Sequence, residues 1–526
     1  MADDRAARFV HGRHAGVIVP LFSIPSRRAW GIGEIPDLPR LATWLASAGL
    51  DFVQLLPINE MERGQNSPYS ALSAMAIDPL YVAVHELTDF AAAGGLAALG
   101  VDAAAIEDAR RSSGVQYETV RRVKANALRR AHAAFEATDP GDDGRRDEFE
   151  AFVERERWWL DDYALFRALN DEHGGRYWRE WEGDLRDRQP DALSAARRRL
   201  APDVRYFQYV QWVAAGQWQR ARENCGTVGI FGDFPFMVNG HSADVWARQH
   251  EFHLDASVGV PVADGAAEEQ DWGLPAYRWD VVAPGGYQWL GDRTRRSADL
   301  FDAFRVDHLV GFYRTYIRDR HKRGFFSPPD EPTQIAQGEA LMTLLRRHGT
   351  CILAEDLGVV PDFVRESQAR MGVPGLKVMR WERYWSIEGQ PFRDPRSFPD
   401  CSVAISGTHD TESMADWWDG AGEAERRAAG EIPSLREAGV DIREGFTQAT
   451  RDALISALFH AGSAFVLLPI QDLFGWRERV NTPSVVSHDN WTWRLPYPVE
   501  SLMSDPAAME RASFISALSE ASGRRR

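Results

Sequence analysis

Eight short runs of β-branched and apolar residues recur along the chain, each closing near a polar residue and each followed by a helix-like stretch. Few folds accommodate that rhythm. The runs are GVIVPLF (16–22), DFVQLLP (51–57), VGIFGDFP (228–235), FDAFRVD (301–307), TCILAEDLG (350–358), GLKVMRW (375–381), SVAISGTHD (402–410) and SAFVLLPIQD (463–472). Between the first two lies IPDLPRLATWLASAG, whose Leu38, Leu41 and Leu45 form an apolar stripe and whose Gly49 ends a helix. That is one βαβ unit. Eight such strands in series, joined by parallel crossovers, favour a closed (β/α)8 TIM barrel over an open sheet.

With 526 residues, the chain suits one elaborated barrel or two or three medium domains. The stretch between the second and third runs has no convincing strand. It is rich in Ala, Arg and Glu with helical stripes, as in VERERWWLDDYALFRALNDEHGG and FQYVQWVAAGQWQRARENCG. The expected organisation is therefore barrel at 1–85, an inserted helical subdomain at 86–224, and the rest of the barrel at 225–520. GDDGRR near Gly141 reads as an exposed loop, and the closing residues 521–526 as a disordered tail.

A net charge of −16 opposes binding to a phosphate backbone, and the basic residues form no stripe, so nucleic acid is not an expected partner. No apolar run approaches the ~20 residues that span a bilayer, and the start carries no secretory pattern; a cytoplasmic protein is expected. Cys225, Cys351 and Cys401 are too few and too widely spaced for a disulfide framework or a metal knuckle. Tryptophan is abundant, with 19 residues, and its flat faces suit both core packing and stacking against sugar rings.

Strand C-termini of a barrel converge on one face, so Asp233, Asp307, Glu355, Asp410 and Asp472 are expected to meet in one cleft. Retaining cleavage of a glycosidic bond needs one carboxylate to attack the anomeric carbon and a second carboxyl, about 5 Å away, to protonate the leaving oxygen. Asp307 fits the nucleophile: Arg305, two residues earlier, shares its strand face and is expected to lower its pKa. Glu355 follows an apolar run expected to raise its pKa toward that of a general acid. Asp410 is a third carboxylate for the charge that develops at the anomeric centre, beside His409.

Other readings compete. A lone strand-end Asp is often only a helix N-cap. His and Asp pairs in VDH, THD and HGRH offer metal ligands, but no HxH closes the first strand, and neither metal nor cofactor is expected. Lys377 suits a Schiff base, which leaves three carboxylates without a task. A non-catalytic glucan-binding protein does not need all three.

These residues sit in segments that resemble the amylomaltases, or 4-α-glucanotransferases, from about Gly16 to Arg494 outside the insertion. The matching segments are WGIGE, NSPYS, GDFPFMV, DVWA, WGLPAYRWD, FRVDH, AEDLGVVP, SGTHDT, LPIQDLFG and RVNTPSVVSHDNWTWR. The resemblance implies Asp307 as nucleophile, Glu355 as acid/base and Asp410 as transition-state stabiliser. It also implies substrate roles for Tyr69, Asp233, Gln270, Trp272, Arg305, His308, His409 and Asn481. Members cut α-1,4-glucans, hold the sugar as a glycosyl-enzyme ester and pass it to the 4-hydroxyl of another glucan, without cofactor or metal.

This chain departs from the pattern at 259–271, where GVPVADGAAEEQD lacks the aromatic lid of the family, and in WGLPAY and Thr411. Loss of a lid that shields the ester from water implies a shift toward hydrolysis or toward another acceptor. An α-glucoside hydrolase, or a transferase with a different acceptor, is thus the alternative on the same scaffold.

Overall fold

A computed structural model describes residues 6–138, 144–262, 269–441, 443–483, 485 and 487–525. Each of the eight apolar runs carries one strand of a closed barrel, the first strand beginning two residues before its run. The strands are β1 (His14–Ile18), β2 (Phe52–Gln54), β3 (Gly229–Phe234), β6 (Ala303–Val306), β9 (Cys351–Ala354), β10 (Gly375–Val378), β11 (Ser402–Ile405) and β12 (Phe465–Pro469). They pair in parallel around the ring in the order β1-β12-β11-β10-β9-β6-β3-β2.

Side chains alternate along each strand, and the inward set fills the barrel: Phe52 stacks on Phe231 at 4.1 Å, with Ala303, Leu353, Val403 and Phe465 completing the layer. Gly16 is required there, because a Cβ on it would lie 2.6 Å from the Phe52 ring. The same alternation aims the chemistry. Asp233, Arg305 and Glu355 follow the inward residues Phe231, Ala303 and Leu353 by two positions, so they rise over the core at its C-terminal mouth. Leu376 and Val378 point inward on β10, so Lys377 points outward, with Nζ 3.9 Å from Asp356 and 3.8 Å from Glu382. A Schiff-base role for Lys377 in the cleft does not fit that placement.

On the outer wall, the helix Leu38–Ser47 buries Leu38, Leu41, Trp44 and Leu45. Each such side chain contributes roughly 1.5–3 kcal/mol relative to exposure. From β2 to β3 the described residues contain helices and no strand; the longest helices are Tyr117–Ala137, Arg145–Glu172 and Ala201–Asn224. Their apolar faces belong to the same core as the barrel's outer wall.

Polar side chains fasten them to it. The Gln211 amide bonds both the N–H and the carbonyl of Ile77 (2.9 and 2.8 Å), and Gln217 does the same for Ala83 (2.8 and 3.0 Å). Buried Lys124 donates to the carbonyls of Leu80 and Val82 and pairs with buried Glu34 at 2.6 Å. The core of GDDGRR lies outside the described residues.

A second sheet was not expected from the sequence. Strands β4 (Phe252–Val260), β5 (Gln270–Tyr277), β7 (Thr315–Arg318) and β8 (Gly324–Ser327) form an antiparallel sheet in the order β5-β4-β7-β8. They carry Gly, Pro and charges and are half-exposed, so they lack the apolar signature of the barrel strands. The sheet grows from the loops after β3 and β6, on the mouth side. Residues 263–268 of the aromatic-free segment lie outside the described residues.

The tail is also corrected. Residues 521–525 are ordered against the body of the protein, and Arg524 is fully buried. Its guanidinium donates to the carbonyls of Phe459, His14, Ala464, Ala461 and Ser463 at 2.8–3.2 Å. What reads as a solvated basic run contains a cation that satisfies backbone acceptors near the N-terminal ends of β1 and β12. Among the described residues no helix is long and apolar enough to cross a membrane.

Candidate active site

Arg305 is the hub of the barrel mouth. Its Nη1 donates to both oxygens of Asp233 (2.7 and 2.6 Å). Its Nη2 lies 2.9 Å from Asp307 Oδ1 and 2.9 Å from Glu355 Oε2. Asp233 and Arg305 are neighbours in register across β3 and β6, which sets this geometry at the level of strand pairing. Glu355 Oε2 also accepts the His308 N–H at 2.8 Å. To present that N–H, His308 takes a left-handed backbone (φ 43°), a conformation costing of order 1–3 kcal/mol in a residue other than glycine. About a quarter of the Asp307 side chain and a fifth of Glu355 remain open to the cleft.

A second group of residues closes over the hub from the loops after β2, β11 and β12. The Tyr69 hydroxyl donates to Asp233 Oδ2 at 2.7 Å and lies 3.1 Å from His409 Nε2, with the two rings stacked at 5.6 Å. His409 Nε2 is 3.4 Å from Asp410 Oδ2. Asn481 Nδ2 donates to Asp410 Oδ1 at 2.6 Å, and Arg479 donates to the Asp410 carbonyl at 2.8 Å. Trp491 flanks Tyr69 and His409 at 5.9 and 5.8 Å. Arg479 and Trp491 were not singled out from the sequence; both lie in the RVNTPSVVSHDNWTWR segment or beside it, which was their only signal.

From the second sheet, Trp272 meets His308 edge to face at 4.8 Å. Gln270 stands farther back, and its Oε1 accepts the Trp272 Nε1–H at 3.1 Å. Asp472 does not join the cleft. It is buried beneath the β11 loop, where it accepts from Ser406 Oγ and from the Met414 N–H at 2.7 Å, and burial pushes its carboxyl up to about 6. Its task is to hold the loop that carries His409 and Asp410.

The sequence model of the family described as 4-alpha-glucanotransferase matches residues 19–500. The chain belongs to this family. A 4-alpha-glucanotransferase of Thermus thermophilus is 32% identical over 510 residues, covering 92% of this chain and 95% of the relative. One from Chlamydia pneumoniae is 28% identical over 502 residues, covering 93% and 92%. Among solved structures, the amylomaltase of Streptococcus agalactiae in complex with acarbose aligns with a TM-score of 0.80 at 23% identity, covering 98% of this chain and 100% of that one. An amylomaltase of Corynebacterium glutamicum aligns with a TM-score of 0.80 at 20% identity, covering 99% and 76%. Transfer of α-1,4-glucan segments is thus the activity of this scaffold, and the amylomaltase fold is shared throughout.

For a glucanotransferase, the electrostatics of the two central carboxyls matter most, and they reverse the expectation from sequence. Burial pushes Asp307 up to about 8, the charges of Glu355 and Asp233 add to this, and Arg305 offsets only part of it. Glu355 is equally desolvated, but Arg305, the His308 N–H and the two nearby histidines outweigh that and hold it at about 2. The difference lies in the donors. Glu355 Oε2 accepts the short His308 N–H bond at 2.8 Å with the Arg305 Nη2 charge 2.9 Å away, whereas Asp307 accepts from Arg305 Nη2 at 2.9 Å and meets the Phe236 N–H only at 3.5 Å. The apolar run before Glu355 raised the wrong group because the strand-end backbone supplies donors that the sequence does not display. As a pair the two carboxyls hold one proton between about pH 2 and pH 8. Burial keeps His308 neutral by lowering it to about 4, and the Tyr69 phenol is pushed far above its ordinary value.

Proposed function

We propose that Asp307 is the nucleophile of a retaining double displacement, Glu355 its acid/base and Asp410 the third carboxylate that supports the distorted sugar. The observation that carries this reading is the single Arg305 nitrogen shared by Asp307 and Glu355 at 2.9 Å each. Two oxygens so held lie at most ~6 Å apart, which suits the ~5–5.5 Å of retaining enzymes better than the ~6.5–9.5 Å that inverting enzymes need for a water.

In the first step an Asp307 oxygen bonds to the anomeric carbon while the bond to the glycosidic oxygen breaks and Glu355 gives that oxygen its proton. In the second, Glu355 takes the proton of an acceptor 4-hydroxyl, whose oxygen attacks the anomeric carbon and releases Asp307. The proton that Glu355 gives in the first step is returned to it in the second, so the cycle needs one proton on the pair. Asp233, Tyr69, His409 and Asn481 supply polar contacts for the donor sugar's hydroxyls, and Trp272 with His308 forms an edge of the same pocket, backed by Gln270. A neutral substrate suits a chain of net charge −16, and three free cysteines suit the cytoplasm.

Incubation with maltotriose followed by chromatography of the products tests this. Longer oligomers plus glucose are expected from the native protein. Asp307→Asn and Glu355→Gln are each expected to lower that activity about 10³-fold or more, the scale of losing a group that acts in the transition state. Shortening products alone, or an Asp307→Asn variant of full activity, contradict it.

A further inference from the structure

Of the nineteen tryptophans, seventeen are buried or half-buried, and the two exposed ones lie four residues apart on one loop. Trp381 is 45% exposed and Trp385 63%, and Tyr384 (41%) and Ile387 (51%) extend the same patch. Folding does not require four large apolar side chains in seven residues to face water, so such a patch marks a contact surface.

Its position says what covers it. The loop leaves the C-terminal end of β10, and β10 lies between β9, which leads to Glu355, and β11, which leads to His409 and Asp410. At its base Arg380 Nη2 donates to the Glu412 carbonyl (3.1 Å), and its Nη1 lies 3.2 Å from the Glu412 carboxylate, two residues beyond Asp410. The loop is also tied together by contacts of its own. Arg383 and Phe392 bridge its two arms, and the Arg383 guanidinium lies 3.6 Å above the Phe392 ring. Backbone bonds from Tyr384 to Pro391, Ile387 to Tyr384 and Gln390 to Ile387, at 2.9–3.0 Å, fix the turn. A pre-ordered loop binds without the cost of ordering it. In the sequence, segment 259–271 contains no aromatic residue.

We propose that Tyr384, Trp385 and Ile387, with Trp381 at their base, form a stacking platform for α-glucan units beyond the reacting sugar on the acceptor side. The assignment to that side rests on Glu355 serving the leaving and acceptor oxygens, since Glu355 follows the neighbouring strand. The apolar faces of successive pyranose rings match flat aromatic faces, and the uncharged glucan needs no ion pair there. The platform makes this enzyme select long acceptors over glucose.

The test uses the full chain with saturating α-glucosyl fluoride as donor, fluoride release as the signal, and glucose or maltohexaose as acceptor. For a Tyr384→Ala/Trp385→Ala variant, the KM for maltohexaose is expected to rise about 10-fold and that for glucose less than ~2-fold, the scale of ~1–1.5 kcal/mol of lost stacking. Trp385→Tyr is expected to restore most of the effect of Trp385→Ala. Equal KM changes for both acceptors, no change for maltohexaose, or a change of oligomeric state in the variant overturns the platform. Fluoride release by Asp307→Asn tests the carboxylate reading separately, so the two fail independently.

Discussion

Replacing Arg305 by methionine removes the only cation bonded to Asp233, Asp307 and Glu355 among the described residues. The Asp233 side chain has no exposure and Arg305 has 5%, so the broken pair is a buried one held by two bonds of 2.7 and 2.6 Å. Leaving such a partner uncompensated costs about 3–5 kcal/mol. The half-open Asp307 and Glu355 add less, because solvent screens them.

Without the guanidinium, Glu355 loses the charge that holds its carboxyl below the unfolded value of about 4, and Asp307, already raised by burial, is raised further. Groups raised in this way favour the folded state at low pH and lose that contribution as pH rises through the folded pKa. The deficit of Arg305→Met relative to the native chain is therefore expected to be small near pH 4 and largest near pH 8. Urea unfolding followed by tryptophan fluorescence at pH 4, 6 and 8 measures it. A loss below about 1 kcal/mol at pH 8, or one that does not change with pH, refutes the hub.

Activity is expected to fall on the alkaline side near pH 8, where the Asp307–Glu355 pair loses its shared proton, and a kcat/KM profile that stays flat to pH 10 contradicts this. Lys124→Met strands buried Glu34 and is expected to cost about 3–5 kcal/mol, while Lys124→Met/Glu34→Gln recovers much of it; equal losses in the single and double variants argue against a paired charge. Arg524→Ala is expected to lower stability by about 2–3 kcal/mol through unpaired carbonyls, and an unchanged urea midpoint shows that the buried C-terminal residues do no fastening.

The barrel was legible because each of its strands is largely buried on both faces and reads as an apolar run. Asp233, Arg305 and Glu355 are aimed by a period of two that the sequence displays. His308 and His409 were legible only as neighbours of Asp307 and Asp410, and Tyr69 and Asn481 came only from motif resemblance, since loops after β2 and β12 carry no periodicity that brings them to the cleft. The second sheet escaped because β4, β5 and β8 are half-exposed. Asp472 looked like a cleft carboxylate because a strand-end Asp reads the same whether its donors are a ligand or a neighbouring loop. The order of the Asp307 and Glu355 pKa values was misread for a related reason: backbone N–H groups have no letter in a sequence, and the His308 N–H is one of the decisive donors. Arg524, amid three terminal arginines, has no sequence mark that separates it from its solvated neighbours.

The nucleophile is the centre of the account. In a Glu355→Gln variant supplied with an α-glucosyl fluoride, the leaving fluoride needs no acid, so the ester forms while its transfer is slowed. Acid quench, proteolysis and mass spectrometry then locate the sugar. The account predicts one glucosyl unit on the peptide containing Asp307 and none after Asp307→Asn. A sugar carried on Asp410 or Asp233, or no covalent sugar while fluoride is still released, contradicts it.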